Sequence, residues 1–542
     1  MQRINDILIH ARRLENSFQP VARAPPEILS VISSYLTEEE LFSASQFCHY
    51  WRSVLISAPS LWTCITCRHA SRTLASLNRS KPVPIRLRLE LPFSNSALKA
   101  VLLHGSAIAS LEIIRGARKI PLLPQLFMLS RQPLERLCIC AGGWEVLREG
   151  WGPPHDFWDN LPSLRELFIY QHPIPIVKLK TPNLVHLAIE LAEYQQTVTL
   201  QAVFDMLRGC PLLQTFLLSH SDVLPQDTAP GHSSVCLPHL HSIELGEQEV
   251  HSGLVTSLQF YQNITVGFRM IPQDHLYDDP PPMLIAAIQH VSRRIDIRSI
   301  ALTTPISAFD SGLLIRFEGP GGSLEITTNW RTSRRRKRHV LLALERILSS
   351  PLPGIQNVTE LHLVGYPSDG SGEFHHINAA LQNVVSISFL CFDDHHMLRL
   401  LSQTHNSLPS FPRLERIMSL GRESGLERIA SIRKKLGVPL KVLVLGQGPR
   451  SFEHSHLEDY TVLRGLVDDL RVGCPTEILE WGTGNEILNI CSPIKVPVSP
   501  SRNFIVMNLT PQCRESLPMF ARYLSLVALM FPGEAGGCQT HK

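Results

Sequence analysis

Between residues 25 and 62 the apolar positions recur at helical spacing. Ile28, Leu29, Ile32 and Leu36 make one apolar stripe, opened by Pro25, Pro26 and Glu27. Proline suits a first helical turn because its missing N–H would have no partner there, and a glutamate favours the positive end of the helix dipole. Thr37 and Glu40 have the Thr-x-x-Glu spacing of a capping box, which predicts that one helix ends and another opens there. Leu41, Ala44, Ser45 and Cys48 share a face of the second helix. Cys48, Trp51, Arg52 and Leu55 continue at the same spacing until Pro59 forbids further helix, and Leu61 and Trp62 close the segment. Three amphipathic helices in so short a stretch bury too little surface to be stable alone, so they are expected to lean on something else.

Beyond residue 100 the pattern changes to apolar, two others, apolar, one other, apolar. It runs through Ile108-Leu111-Ile113, Leu134-Leu137-Ile139, Leu164-Leu167-Ile169, Leu184-Leu187-Ile189, Leu213-Phe216-Leu218 and Leu240-Ile243-Leu245. It returns as Ile297-Ile300-Leu302, Val358-Leu361-Leu363, Val384-Ile387-Phe389 and Leu440-Leu443-Leu445, with Leu414-Ile417 as a partial copy whose third position is Ser419. Successive copies start 20 to 30 residues apart, except for steps of 57 and 61 after Leu240 and Ile297. Several copies follow a proline, as in Cys210-Pro211 and Leu237-Pro238, and helical stripes precede others: Leu200, Val203, Phe204 and Leu207, then Val340, Leu344, Ile347 and Leu348. Residues 312 to 330 alternate apolar and polar around Gly319-Pro320-Gly321-Gly322, which predicts a β-hairpin set into the array.

The first segment, in order and spacing, resembles the F-box, a small three-helix module; one departure is Ala24, where the family usually has leucine. The repeated pattern resembles leucine-rich repeats. The resemblance implies a helix and a short strand per unit, stacked so that each unit buries its apolar face against its neighbours. The family's Asn or Cys after the strand is missing, since His172, Tyr366 and Gly448 stand in its place, so the repeats are degenerate. The expected fold is α/β: an N-terminal three-helix F-box followed by an irregular leucine-rich-repeat-like α/β solenoid with an inserted β-hairpin. The rival is a non-repetitive globular α/β domain whose leucine-rich strands mimic the pattern. The expected layout is an N-terminal helical segment at 1–22, the F-box at 23–67, a degenerate repeat domain for substrate binding at 68–484, and a C-terminal segment at 485–542.

Composition narrows the class. A chain of 542 residues is too long for one compact core, and 44% hydrophobic with 18% charged residues describes a folded chain rather than a disordered one. A net charge of +3 exerts no general pull toward nucleic acid or membrane. No apolar stretch reaches the ~18 residues that span a bilayer. Arg3, Asp6, Arg12, Arg13 and Glu15 argue against a secretory signal, and twelve scattered cysteines fit a reducing compartment, so cytoplasm or nucleus is expected.

Chemical signals are sparse. Cys64 and Cys67 form a lone Cys-x-x-Cys, either two ligands of an incomplete zinc site or two small residues of a strand after Trp62. Asp393-Asp394-His395-His396 and His375-His376 read as helix starts or as metal ligands. The basic run Arg334, Arg335, Arg336, Lys337, Arg338 reads three ways: a solvated loop, a nuclear-import signal or a nucleic-acid contact, the last without the interleaved aromatics that stack on bases. Gly446 and Gly448 lack the third glycine of a dinucleotide site, and no nucleophile elbow, phosphate-binding loop or His-Glu-x-x-His is present.

The F-box resemblance implies a non-catalytic substrate receptor of a Skp–cullin–F-box ubiquitin ligase. Its partners would be a Skp-type adaptor and, through it, cullin and a RING subunit, together with a protein target of unknown identity and no cofactor. By that analogy Pro25, Pro26, Glu27, Ile28, Leu29, Ile32, Leu36, Leu41, Cys48, Trp51, Leu61 and Trp62 carry adaptor docking or the module's own core. Alternatives are an adaptor-binding scaffold outside ubiquitination, or a nuclear binder using residues 334–338.

Overall fold

The computed structural model describes residues 24–473 apart from intervals, the longest of which are 141–152, 225–233, 271–281, 330–346, 365–380, 391–400 and 447–459. The basic run 334–338, the His and Asp pairs at 375–376 and 393–396, and the terminal segments 1–22 and 485–542 lie outside the described residues. The described residues fall into two compact units, one up to Phe157 and one from Trp158 onward. Among the described residues no helix is long and apolar enough to cross a membrane.

The first unit opens with helices α1 (Pro26–Ser33), α2 (Glu38–Ala44) and α3 (His49–Ile56), then a 3-10 turn at Pro59–Trp62. A parallel ladder follows: β1 (Cys64–Thr66), β2 (Ile85–Glu90), β3 (Ile108–Ile114) and β4 (Arg136–Cys140), each paired with the next. Helices α4 (Ala70–Ser80), α5 (Asn95–His104) and α6 (Leu123–Ser130) connect them. Strand β1 shows that the repeat pattern starts earlier than residue 100. Trp62, Ile65 and Cys67 occupy its three apolar positions and are all buried.

In the second unit the ladder comprises β5 (Glu166–Tyr170), β6 (His186–Glu190), β7 (Thr215–Ser219), β8 (Ser242–Gly246) and β9 (Ile264–Met270), joined in parallel. It continues through β10 (Ser299–Thr303), β11 (Gly312–Gly319) and β12 (Gly322–Asn329) to β13 (Glu360–Val364), β14 (Ser386–Leu390), β15 (Arg416–Leu420), β16 (Val442–Gly446) and β17 (Asp469–Gly473). Helices α7 (Leu200–Arg208), α8 (Pro282–Ile295) and α9 (Leu426–Lys435) supply helical connections. Two apolar columns cross these strands. One runs Leu167, Leu187, Phe216, Ile243, Val266, Leu324 and the other Ile169, Ile189, Leu218, Leu245, Phe268, Ile326, all buried. A strand's period of two sends alternate residues to one face, so the repeated pattern becomes a continuous core.

The two long sequence steps have separate causes. Strand β9 lies within the first, and its leading apolar position is Asn263, which adopts a positive φ of 66°. The hairpin β11–β12 lies within the second, and it is not an appendage. Strand β12 pairs in parallel with β9, β11 is antiparallel to both β12 and β10, and β10 pairs in parallel with β13. Phe317 and Ile315 continue the two columns into Ile300 and Leu302. The turn leaves no space for side chains, since a Cβ at Gly319, Gly321 or Gly322 would collide with the backbone oxygens of Asp296, Arg294 and Ile264.

Proline has a defined place in the repeats. Leu164, Leu184, Leu213, Leu240 and Leu414 each donate their backbone N–H to the carbonyl three residues earlier, at 3.0–3.2 Å, with a proline second in each turn. Asn183 and Asn383 donate side-chain N–H groups to the carbonyls of Pro162 and Gln356 in the preceding turns. One turn is held differently. The buried Arg433 of α9 donates to the carbonyls of Ser410, Phe411 and Leu414 at 2.9–3.2 Å, and burial lowers its pKa to about 10.

Candidate docking surface on the helical module

The chain builds the module by capping short helices one by one. Pro26 starts α1 without a side-chain cap. At α2 the backbone N–H of Glu40 donates to Thr37 Oγ1 at 3.4 Å, and the N–H of Thr37 donates to Glu40 Oε2 at 2.8 Å, closing the capping box. Cys48 Sγ accepts the N–H of Trp51 at the start of α3. Arg52 donates to the Ser45 carbonyl at 3.0 Å, and Tyr50 Oη donates to the Ala24 carbonyl at 2.7 Å, tying the start of the module to α3.

The residues singled out in the sequence divide into three groups. Leu29, Leu41, Trp51, Leu61 and Trp62 are buried with Ala44, Val54 and Leu55 in one cluster. Leu36 and Cys48 are half-buried and pack against it, as does Ala24, and Ile32 is also half-buried. Pro25, Pro26, Glu27 and Ile28 are exposed. Helix α1 is therefore apolar on two sides. Its inner side holds Leu29 and its outer side holds Ile28 and Val31, which remain 51% and 58% exposed, and Tyr35 in the turn after the helix is 76% exposed. Ile28 and Val31, three residues apart, share one face of the helix. Phe47, 65% exposed, adds apolar surface between α2 and α3, its ring 5.7 Å from that of Trp51. Sequence reading merged the two stripes of α1 into one; the signal for the second was the surplus of apolar residues in a single short helix.

The module leans on the first repeat of its own chain. Glu38 accepts hydrogen bonds from the Thr66 N–H at 2.8 Å, the Thr66 hydroxyl, and the Ser76 hydroxyl at 3.0 Å, so one carboxylate joins α2 to β1 and α4. The Trp62 indole donates to the Leu55 carbonyl at 2.8 Å and its ring meets Phe42 edge-on at 5.0 Å. The Arg79 guanidinium lies 4.2 Å from the Trp62 ring centre and 5.1 Å from that of Phe42.

The Cys-x-x-Cys pair splits. Cys64 is exposed on β1, whereas Cys67 is buried, and desolvation followed by the nearby Glu38 pushes its pKa up to about 12. Among the described residues no group of three or more His, Cys, Asp or Glu side chains is placed to hold a metal ion.

The segment is thus a three-helix module with its own core and exposed apolar side chains on its first helix. Residues 23–68 match the family model described as F-box-like, and this segment is an F-box-like domain. Among solved structures, the chain is similar to one from the crystal structure of the Rad7 and Elc1 complex in yeast, at 11% identity and a TM-score of 0.35 over 78% of this chain and 90% of that one. A comparison with curated proteins found no match.

Proposed function

We propose that this protein is the substrate-recognition subunit of a Skp–cullin–F-box ubiquitin ligase. The F-box-like domain, 23–67, docks a Skp-type adaptor, and cullin and a RING subunit join through it. The domain from 68 to 484 holds a protein target, in cytoplasm or nucleus. The chain itself is non-catalytic and needs no cofactor: it contributes proximity and orientation by raising the target's effective concentration near a charged conjugating enzyme. The observation that carries this reading is the exposed apolar surface of Ile28 and Val31 on α1, with Tyr35 just beyond its end, on a module that has its own core. Burying each such side chain in a partner contributes about 1.5–3 kcal/mol.

The test is co-purification of the full chain with its adaptor. Val31→Asp is expected to lower adaptor capture at least about tenfold while changing the urea midpoint little, because an exposed substitution shifts stability by only about 0.5 kcal/mol. Undiminished capture by that variant refutes the assignment of α1. Capture of adaptor without cullin points instead to a scaffold outside ubiquitination.

A further inference from the structure

The described residues end on β17, and among them β17 pairs with β16 alone. Asp469 donates its N–H to the Lys441 carbonyl at 2.8 Å, on the β16 side. Backbone direction alternates along a strand, so the N–H and C=O groups of Leu470 and Val472 turn to the other edge. The apolar columns thin out at the same place. Leu443 and Leu445 on β16 are buried, while Leu470 and Val472, next to them in register, are only half-buried. A stacked array needs a cover over its last unit, and an open strand edge invites pairing with another chain.

The chain that follows reads Cys474-Pro475-Thr476-Glu477-Ile478-Leu479-Glu480-Trp481-Gly482. Pro475 has no N–H to give a ladder and suits a turn. Leu479 and Trp481 are apolar with Glu480 between them, the alternation of a strand with one buried face. Six residues separate Val472 from Leu479. A parallel neighbour needs a crossover of about a dozen residues or more, so a strand this close returns antiparallel. The array already takes such a strand, since β11 runs against both β10 and β12.

We propose that residues 479–482 fold back along β17 as the closing strand of the array. In this register Val472 faces Leu479, Arg471 faces Glu480, Leu470 faces Trp481 and Asp469 faces Gly482. Leu479 and Trp481 then extend the two apolar columns. On the other face Glu480 meets Arg471, whose guanidinium already holds Asp469 at 2.8 Å. A slip of one residue sends Trp481 to the charged face and Glu480 into the apolar columns. The outward N–H and C=O groups of Leu470 and Val472 gain partners on Trp481 and Leu479, as hydrogen-bonded pairs of an antiparallel ladder do. The proposal stands apart from the receptor reading: it closes the repeat domain with its own chain and keeps that edge from a second copy or a foreign strand.

The experiment uses the full chain. Hydrogen exchange read at single amides is expected to be slow at Leu470 and Val472 in wild type. Trp481→Asp is expected to speed both by about tenfold or more, while the Asp469 amide, bonded on the β16 side, changes little. A cysteine pair tests the register in a Cys474→Ser background. With Arg471→Cys and Glu480→Cys the two positions form a non-hydrogen-bonded pair, where Cα atoms lie about 4.5 Å apart, and an intramolecular disulfide is expected under mild oxidation. With Trp481→Cys in place of Glu480→Cys the thiols lie on opposite faces, and the bond is expected to form at least about tenfold more slowly. Fast exchange at Leu470 and Val472 in wild type overturns the proposal, as does protection that survives Trp481→Asp, or equal crosslinking by the two cysteine pairs. Protection that rises with protein concentration assigns the edge to a second copy and overturns it too. If Trp481→Asp fails to fold, the cysteine pairs decide alone.

Discussion

Helix α1 of the F-box-like module carries apolar side chains on both sides, whereas strands such as β8 and β9 carry them on one side and polar or charged groups on the other. The ladder thereby completes its core within the chain. In the module, Leu29 completes the core and Ile28, Val31 and Tyr35 are left over. The apolar surplus lies on a short helix without a side-chain N-cap, and the polar groups lie on the second face of the sheet. Under the proposed function the first of these surfaces would hold the adaptor by burial.

The largest expected effect breaks the module's own core. Trp62 belongs to both regions, as the last aromatic of the module and the leading apolar residue of the first repeat strand. Trp62→Ala is expected to cost about 3–5 kcal/mol, because it opens a cavity and leaves the Leu55 carbonyl without its indole donor. Urea denaturation followed by tryptophan fluorescence should show the loss, and adaptor capture should fall with it. In the ladder, Arg433→Met removes the side-chain donor to the Ser410, Phe411 and Leu414 carbonyls, of which Phe411 keeps the Leu414 N–H, and is expected to destabilise by on the order of 3 kcal/mol, read from the urea midpoint. A small effect there would mean that the turn at 410–414 is satisfied without Arg433.

Glu325 on β12 offers a pH test. Burial makes its carboxyl harder to ionise in the folded chain, with a pKa of about 7 against an ordinary 4.5. Below 4.5 it is protonated whether the chain is folded or not and costs nothing. As pH rises from there through 7, the unfolded chain ionises first, so the folded state loses stability, and the loss is complete above 7. Wild type should lose on the order of 2–3 kcal/mol more than Glu325→Gln between pH 5 and pH 8. Parallel curves for the two proteins would show that the carboxyl is not strained. Smallest is Glu38→Ala, at about 1–2 kcal/mol, since it leaves the half-buried Thr66 N–H on β1 and the buried Ser76 hydroxyl on α4 without their acceptor. Its sharper readout is hydrogen exchange, with faster exchange expected at the Thr66 amide and α1 unaffected.

Much of this was legible in the chain itself. The capping box at Thr37 and Glu40, the strand copies and the hairpin at 312–329 all stand where local patterns put them, because caps, turns and the strand period act over a few residues. Val467, Leu470 and Val472 also fit the repeat template, and β17 is there, so that strand was readable and overlooked. Strand β9 was not, because Asn263 in a left-handed conformation replaces the leading apolar residue.

What the sequence determined by itself is most of the repeat strands, the hairpin and the identity of the first module, since these follow from residue spacing. What only the tertiary structure decided is orientation and neighbourhood: that α1 turns Leu29 inward and Val31 outward, that the hairpin is wedged between β9 and β10, and that Glu190, Glu244, Arg269, Arg316 and Glu325 meet on one face. The reason is that strand register places residues far apart in sequence side by side, and no local pattern encodes which distant strand will be the neighbour.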